Sequence, residues 1–90
     1  MQQVVNKEKI IMVTYKKVSH INDVITYEYW PEGKFESGFV SYNTKTKEQK
    51  LVKIAPYDVG IGWYWGHMFS RIRRMEEEQD FRDEGWLCWY

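Results

Sequence analysis

The residues of this chain that could act as a nucleophile and a base are few. They are His20, His67 and Cys88, with Asp23 or Asp58 as a carboxylate that could orient a histidine. Such groups react only within hydrogen-bond reach of one another, and no local motif brings these together. The sequence Trp-Leu-Cys-Trp around Cys88 predicts a buried, unreactive thiol. The same residues lack the closely spaced ligand pairs of structural zinc sites, so we expect neither a catalytic residue nor a bound metal.

The segment Gly60–Gly66 is rich in glycine, as phosphate-binding turns are. Its glycine spacing is one residue too long for the G-x-G-x-x-G motif. Bulky aromatic side chains between the glycines would block a pyrophosphate, and no complete βαβ unit frames the segment. We therefore expect no nucleotide and no other small-molecule cofactor.

One face of a predicted helix is the best candidate for binding a partner. Arg71 and Arg74 lie three residues apart, so they share a helical face and could hold a carboxylate or a phosphate. Tryptophan and tyrosine, which precede them, are enriched where proteins bind one another. Successive helical residues point about 100° apart, so at least one of the three aromatic residues at positions 63–65 must be peripheral. The candidate partner-binding residues are Trp63, Tyr64, His67, Arg71 and Arg74.

The same residues also have a purely structural interpretation. Arg73 with Glu77, and Arg74 with Glu78, have the i,i+4 spacing of ion pairs on a solvated helix face. Aromatic residues, which make up 18% of the chain, supply the buried area that a small domain needs for its core. Core packing therefore competes with partner binding as the explanation for the tryptophans and tyrosines.

The charges of the chain are balanced, with 13 Lys and Arg against 13 Asp and Glu. No net field would therefore gather nucleic acid or an anionic membrane. Balanced charge and abundant aromatic residues favour a protein partner, which could be a second copy of the chain. The alternative is a nucleic-acid-binding accessory protein that uses basic residues of a hairpin or of the helix. Those residues are Lys45, Lys47, Lys50, Lys53, Arg71 and Arg74.

Two features predict a cytoplasmic protein. The only cysteine, Cys88, cannot form an internal disulfide, so nothing requires an oxidising compartment. The apolar run Ile10–Val13 is too short for a signal peptide or a membrane span. We expect no membrane partner.

Several segments predict strands because apolar and polar residues alternate or cluster between turn residues. They are Lys9–Val18, Val24–Trp30, Gly38–Tyr42 and Leu51–Ala55. The connections between the last three are too short for a crossover helix, so these strands should form an antiparallel meander. The apolar end Trp86–Tyr90 predicts a further strand that docks into the sheet.

A helix is predicted from about Asp58, as its N-cap, to about Asp80. Its apolar residues recur at helical spacing and should face the sheet. They are Ile61, Trp65, Met68, Phe69, Ile72 and Met75. Glycines weaken the start of this helix. Either the helix begins nearer Ile61, or Gly66 is small because a residue of the sheet presses against it.

The chain also carries a set of short motifs in a fixed order. They are Tyr29-x-Pro31-Glu32-Gly33, Gly38-x-Val40, Asp58, His67 and the terminal Trp89-Tyr90. In these motifs the chain resembles a loose set of small uncharacterised bacterial proteins, some of them carried by phage or mobile elements. The resemblance spans about two thirds of the chain and implies a compact α+β fold, without an activity to transfer.

Together these patterns predict one α+β domain over residues 1–90. It should have four or five antiparallel strands, one long helix across one face and a C-terminal strand. The predicted function is that of a small non-enzymatic protein-interaction module, with self-association as one form of it.

Overall fold

The structure, a computed structural model, describes residues 11–89. Within this range the elements are, in chain order, the strands β1 (Ile11–Ile21), β2 (Val24–Pro31), β3 (Gly38–Asn43) and β4 (Gln49–Lys53), the 3₁₀ turn Pro56–Asp58, the helix α1 (Trp63–Glu77) and the strand β5 (Glu84–Trp89). The strands form one antiparallel sheet in the order β4-β3-β2-β1-β5. The helix packs on one face of this sheet, which confirms the predicted α+β fold.

The strands lie close to where the sequence places them. β1 extends three residues beyond the predicted end at Val18, while the predicted start at Lys9 lies outside the described residues. β4 is shifted towards the N-terminus and ends at Lys53, because Ala55 leaves the sheet to enter the 3₁₀ turn. The C-terminal strand docks on β1, as predicted, with Leu87 opposite Val13. It begins at Glu84, two residues before the predicted start, and the predicted end at Tyr90 lies outside the described residues.

Alternation along the strands builds the core on the face that α1 covers. The buried residues of this face are Ile11, Val13, Tyr15, Ile25, Tyr27, Tyr29, Val40 and Tyr42. The opposite face of the sheet, which we call the open face, carries the intervening residues of each strand. Since directly paired residues share a face, Trp30, Thr14 and Trp86 form one row on the open face across three strands.

The hydroxyl groups of the buried tyrosines tie separate elements to the core. Tyr27 donates to the Arg82 carbonyl at 2.7 Å, and Tyr42 donates to Glu76 Oε1 at 2.6 Å. Burial, followed by the hydrogen bond with Glu76, raises the pKa of Tyr42 to about 12. A tyrosine can thus fill a core position while its polar end holds a second element in place.

The helix begins later than predicted, at Trp63. Gly62 is its N-cap and has φ +75°, a left-handed conformation that glycine adopts without strain. A Cβ on Gly66 would meet no atom within 4 Å, so no residue of the sheet presses on it. The first of the two alternatives is therefore correct, and the helix starts close to Ile61. It also ends at Glu77, three residues before the predicted end.

Asp58 nevertheless caps the first turn of α1, from a position outside the helix. Its side chain is fully buried, and its carboxylate accepts from the N–H of Tyr64 at 3.3 Å and of Trp65 at 2.9 Å. The Tyr29 hydroxyl donates to the same carboxylate at 3.2 Å and accepts from the Ala55 N–H. One buried carboxylate therefore joins β2 to the start of the helix.

This later start changes the apolar stripe of the helix at its first turn. Ile61 precedes α1 and is 45% exposed, so its prediction as core is wrong. Tyr64 takes its place among the buried residues of the helix, while Trp65 is half-buried at the margin of the core. The remaining stripe residues, Met68, Phe69, Ile72 and Met75, are buried as predicted.

Candidate functional site

The strand β5 forms one edge of the sheet and borders the candidate site. It pairs with β1 on one side, and no other described strand covers its outer side. One flank of α1 lies beside it across a shallow cavity of about 240 Å³. We call this region the β5 groove. Its residues are His67, Ser70, Arg71, Arg74, Leu87 and Cys88.

The helical wall of the β5 groove is basic. Arg71 is half-buried and forms no ion pair with any residue that the structure describes. Arg74 Nε lies 3.2 Å from Glu78 Oε2, which is one of the two i,i+4 pairs predicted from the sequence. Burial lowers the pKa of His67, so this wall carries its positive charge on the two arginines at neutral pH. A carboxylate entering the groove would meet Arg71 without having to displace a partner from it.

His67 and Cys88 both border the groove, but the alternation of β5 does not direct the Cys88 side chain towards the helix. Leu87 packs against the core, on the face of the sheet that α1 covers. Adjacent strand residues point to opposite faces, so the Cys88 side chain lies on the open face, beside that of its pairing partner Met12. Cys88 is also exposed, and the prediction that it is buried is wrong because its side chain lies on the face of the sheet opposite α1.

The predicted partner-binding residues divide into an exposed set and one core residue. Trp63 is 57% exposed and shares a shallow cavity with His67 and Ser70, so it continues the surface of the β5 groove along the helix. Tyr64, however, is buried, and its hydroxyl donates to Glu32 Oε2 at 2.8 Å. Tyr64 therefore belongs to the core, because the helix starts late enough to turn its side chain towards the sheet.

The hairpin lysines lie at the β4 edge of the sheet, and the helical arginines lie beside β5 at the opposite edge. Lys47 is paired with Glu76 of α1, with Nζ and Oε2 2.5 Å apart. Lys50 and Lys53 pair with Ser41 and Phe39, and an irregularity between these pairs puts both lysines on the open face. The basic groups that the sequence offered to nucleic acid thus belong to two different surfaces.

Sequence reasoning identified the aromatic C-terminal segment but not its exposed residue. Trp86 is 61% exposed on the open face, directly beside the groove. Once Leu87 is assigned to the core, alternation alone predicts that Trp86 faces away from it. The missing information was which face of β5 meets the helix.

Other kinds of site find less support in residues 11–89. No group of three or more His, Cys, Asp or Glu side chains there could hold a metal ion. The one α-helix in this range is not long and apolar enough to cross a membrane. No family model, no curated protein and no solved structure matches the chain.

Proposed function

We propose that this protein is a protein-interaction module that binds an extended, acidic segment of a partner protein as an additional strand along β5. The observation that carries the proposal is the contrast between the two edges of the sheet. β4 presents Lys50 and Lys53, and edge lysines discourage further strand pairing. β5 carries neither lysine nor proline, and no described strand pairs with its outer backbone groups, to which a partner strand could therefore bond.

The chemistry of the partner follows from the residues beside β5. A strand added to this edge would point alternate side chains towards the helical wall, where Arg71 and Arg74 favour carboxylates. Its other side chains would lie beside Trp86, whose exposed ring favours apolar or aromatic contacts. The preferred segment therefore alternates acidic with apolar residues.

A second copy of the chain is a less suitable occupant. Two β5 strands paired antiparallel about a two-fold axis would place both helices on the same face of the joined sheet. The arginines of the two helical walls would then face each other, and like charges across an interface disfavour association. We therefore prefer an acidic partner to the self-association that composition alone suggests.

The nucleic-acid alternative has weaker support. On the open face, Lys53 lies in a row with Glu28, since Phe39 pairs with both, whereas Lys50 lies in a row with Ser41 and Thr26. Lys47 is already bound by Glu76. A phosphate backbone would thus meet a mixed surface rather than a basic stripe.

The test is to measure binding of a peptide with alternating glutamate and valine, and of the same peptide with lysine in place of glutamate. We expect the acidic peptide to bind and the basic one not to. Trp86→Lys should abolish binding, because it introduces a charged residue on the edge that the peptide uses. Val52→Lys places the same residue at an exposed position of β4 and should leave binding unchanged.

Equal binding of the two peptides would contradict the proposal, as would binding that survives Trp86→Lys. Light scattering of the protein without peptide provides a separate check. A dimer that Trp86→Lys dissociates would show that a second copy, not an acidic segment, occupies the edge. Failure of the peptide to bind, combined with identical lysate partners for wild type and Trp86→Lys, would also overturn the proposal.

A further inference from the structure

A second cavity, which shares no lining residue with the β5 groove itself, lies where the β2–β3 turn meets the start of α1. Its volume is about 540 Å³, which falls in the range of small-molecule pockets. Three aromatic rings, one carboxylate and one ammonium group border it, together with two isoleucines. The residues are Ile11, Glu32, Lys34, Tyr57, Ile61, Trp63 and Tyr64.

The carboxylate of Glu32 is held in place by the protein on one of its two oxygens. Oε2 accepts from the Tyr64 hydroxyl at 2.8 Å and from the Met12 N–H at 3.1 Å. No donor among the described residues reaches Oε1, and no lysine or arginine among them forms an ion pair with this group. A half-buried carboxylate that lacks a countercharge favours the approach of a cation.

The backbone at Glu32 is also strained. Its φ is +51°, in the left-handed region that side chains other than glycine, asparagine and aspartate rarely adopt. The neighbouring Gly33 has φ +66°, and the Lys34 N–H donates to the Pro31 carbonyl at 2.8 Å, which closes a tight turn. This turn fixes the backbone from which the Glu32 side chain reaches the border of the cavity.

The aromatic walls complete a surface suited to a cation. The rings of Tyr57 and Tyr64 lie 5.9 Å apart between centroids and are tilted by 58°. Trp63, the exposed residue at the start of α1, borders the same cavity. Aromatic faces attract ammonium and guanidinium groups, and tryptophan does so most strongly.

The chain already places one cation of its own here. Lys34 Nζ lies 4.8 Å from the centre of the Tyr57 ring. Lys34 is exposed and forms no ion pair with a described residue, so its ammonium group can leave the ring at little cost. This contact places an ammonium group over the Tyr57 ring, and it makes Lys34 a competitor of any external cation.

The geometry points to a binding site for an organic cation with N–H donors, that is, a primary ammonium or a guanidinium group attached to an apolar body. The cation donates to Glu32 Oε1 and lies against the rings of Tyr57 and Trp63. Its apolar body contacts the isoleucines of the cavity. The cation could belong to a free amine or to a lysine side chain of a peptide, since both present the same chemistry.

The experiment titrates the protein with benzylamine and with benzyl alcohol, its neutral counterpart, and follows the indole N–H of Trp63 by NMR. We expect benzylamine to bind about tenfold more tightly, because only the amine interacts with the carboxylate and as a cation with the rings. A short peptide with a single lysine, titrated in the same way, distinguishes a side-chain ligand from a free amine. Equal affinity for amine and alcohol, or no shift with any amine, would overturn the inference.

Three variants test the assigned roles. Glu32→Gln keeps an acceptor for Tyr64 and Met12 but removes the charge, and should weaken benzylamine binding about tenfold. Glu48→Gln removes an exposed glutamate outside the cavity and should change nothing. Lys34→Gln removes the internal competitor and should tighten binding.

Lys34→Gln tests the same site even if Glu32→Gln does not fold, because Lys34 is exposed and its substitution leaves the core intact. Weaker binding by Lys34→Gln would contradict the inference. So would a folded Glu32→Gln protein that binds benzylamine as tightly as the wild type.

Discussion

The two edges of the sheet differ in how the helix is connected to them. On the β4 side, Glu76 of α1 binds Lys47 of the β3–β4 loop and also accepts from Tyr42, while Arg73 donates to Gln49. On the β5 side, Arg74 is paired within its own helix, and Arg71 has no ion-pair partner among residues 11–89. The fold therefore closes one side of the helix with polar contacts and leaves the other side as a basic groove.

This difference indicates which edge the protein protects and which it leaves available. An unprotected edge strand promotes unwanted pairing, and proteins usually guard it with charge, proline or a covering element. β4 is guarded by its lysines and by its contacts with α1, whereas β5 has Trp86 and Cys88 exposed. Among residues 11–89, β4 presents two lysines, whereas β5 presents Glu84 as its one charged residue, and this difference supports the proposed binding role of β5.

The largest expected effect comes from removing the buried carboxylate that fixes the start of the helix. Asp58→Ala removes the buried acceptor for Tyr29 and for the first N–H groups of α1. We expect a loss of about 3 kcal/mol in the free energy of unfolding, because buried donors lose a charged acceptor. Urea denaturation followed by circular dichroism measures it.

The control for Asp58→Ala is Asp23→Ala, which removes an exposed aspartate of a turn and should change stability by less than about 0.5 kcal/mol. Similar small losses for both variants would show that the Asp58 carboxylate does not support the helix. The position of α1 between the two edges of the sheet would then depend on contacts other than those of Asp58.

The role of Asp58 also illustrates what the sequence can and cannot predict. Its residue type and its place before the apolar stripe correctly predicted a capping carboxylate. They could not predict that a 3₁₀ turn and Gly62 would intervene, because that depends on where Tyr29 holds the carboxylate in the folded protein. Local capping rules identify the capping residue, and tertiary packing determines where the helix begins relative to it.

The strands were more predictable than the candidate site. Period-two alternation in β2 assigned Ile25, Tyr27 and Tyr29 to one face without knowledge of the fold. The β5 groove, in contrast, joins residues of α1 to Leu87, which follows them by more than a dozen positions. Sequence spacing brought Arg71 and Arg74 together, but only the pairing of β5 with β1 placed them beside an open edge.

A second prediction compares the two sides of the helix directly. Glu76→Ala removes the acceptor of both Tyr42 and Lys47, and we expect it to cost about 2 kcal/mol of unfolding free energy. Arg71→Ala removes a residue with no ion pair in the described part of the chain and should cost less than about 0.5 kcal/mol. Thermal and urea denaturation measure both variants. Equal losses of unfolding free energy would contradict the difference between the two sides of the helix.

A third prediction concerns the charge of the groove. Arg71→Glu should weaken binding of the acidic alternating peptide about tenfold, since a carboxylate then faces carboxylates. Arg73→Glu makes the same change on the opposite flank of α1, where Gln49 is its partner, and should leave the affinity within about twofold. Fluorescence titration measures both, and equal effects would place the peptide elsewhere than in the β5 groove.

The smallest expected effect is a pH dependence that arises from Glu76 on the β4 side. The hydrogen bonds from Lys47 and Tyr42 hold the pKa of Glu76 below its ordinary value of 4.5. The charged form of Glu76 therefore stabilises the fold above the unfolded-state pKa, and this contribution is lost as the pH falls through the lower, folded-state pKa. Because Glu76 is near the surface, we expect this contribution to amount to at most about 1 kcal/mol.

Glu76→Gln should be less stable than the wild type at pH 7, and its stability should approach that of the wild type near pH 3, as measured by urea denaturation at each pH. Glu48→Gln, whose glutamate is exposed, is the matched control, and a constant difference between Glu76→Gln and the wild type over this range would contradict the assignment.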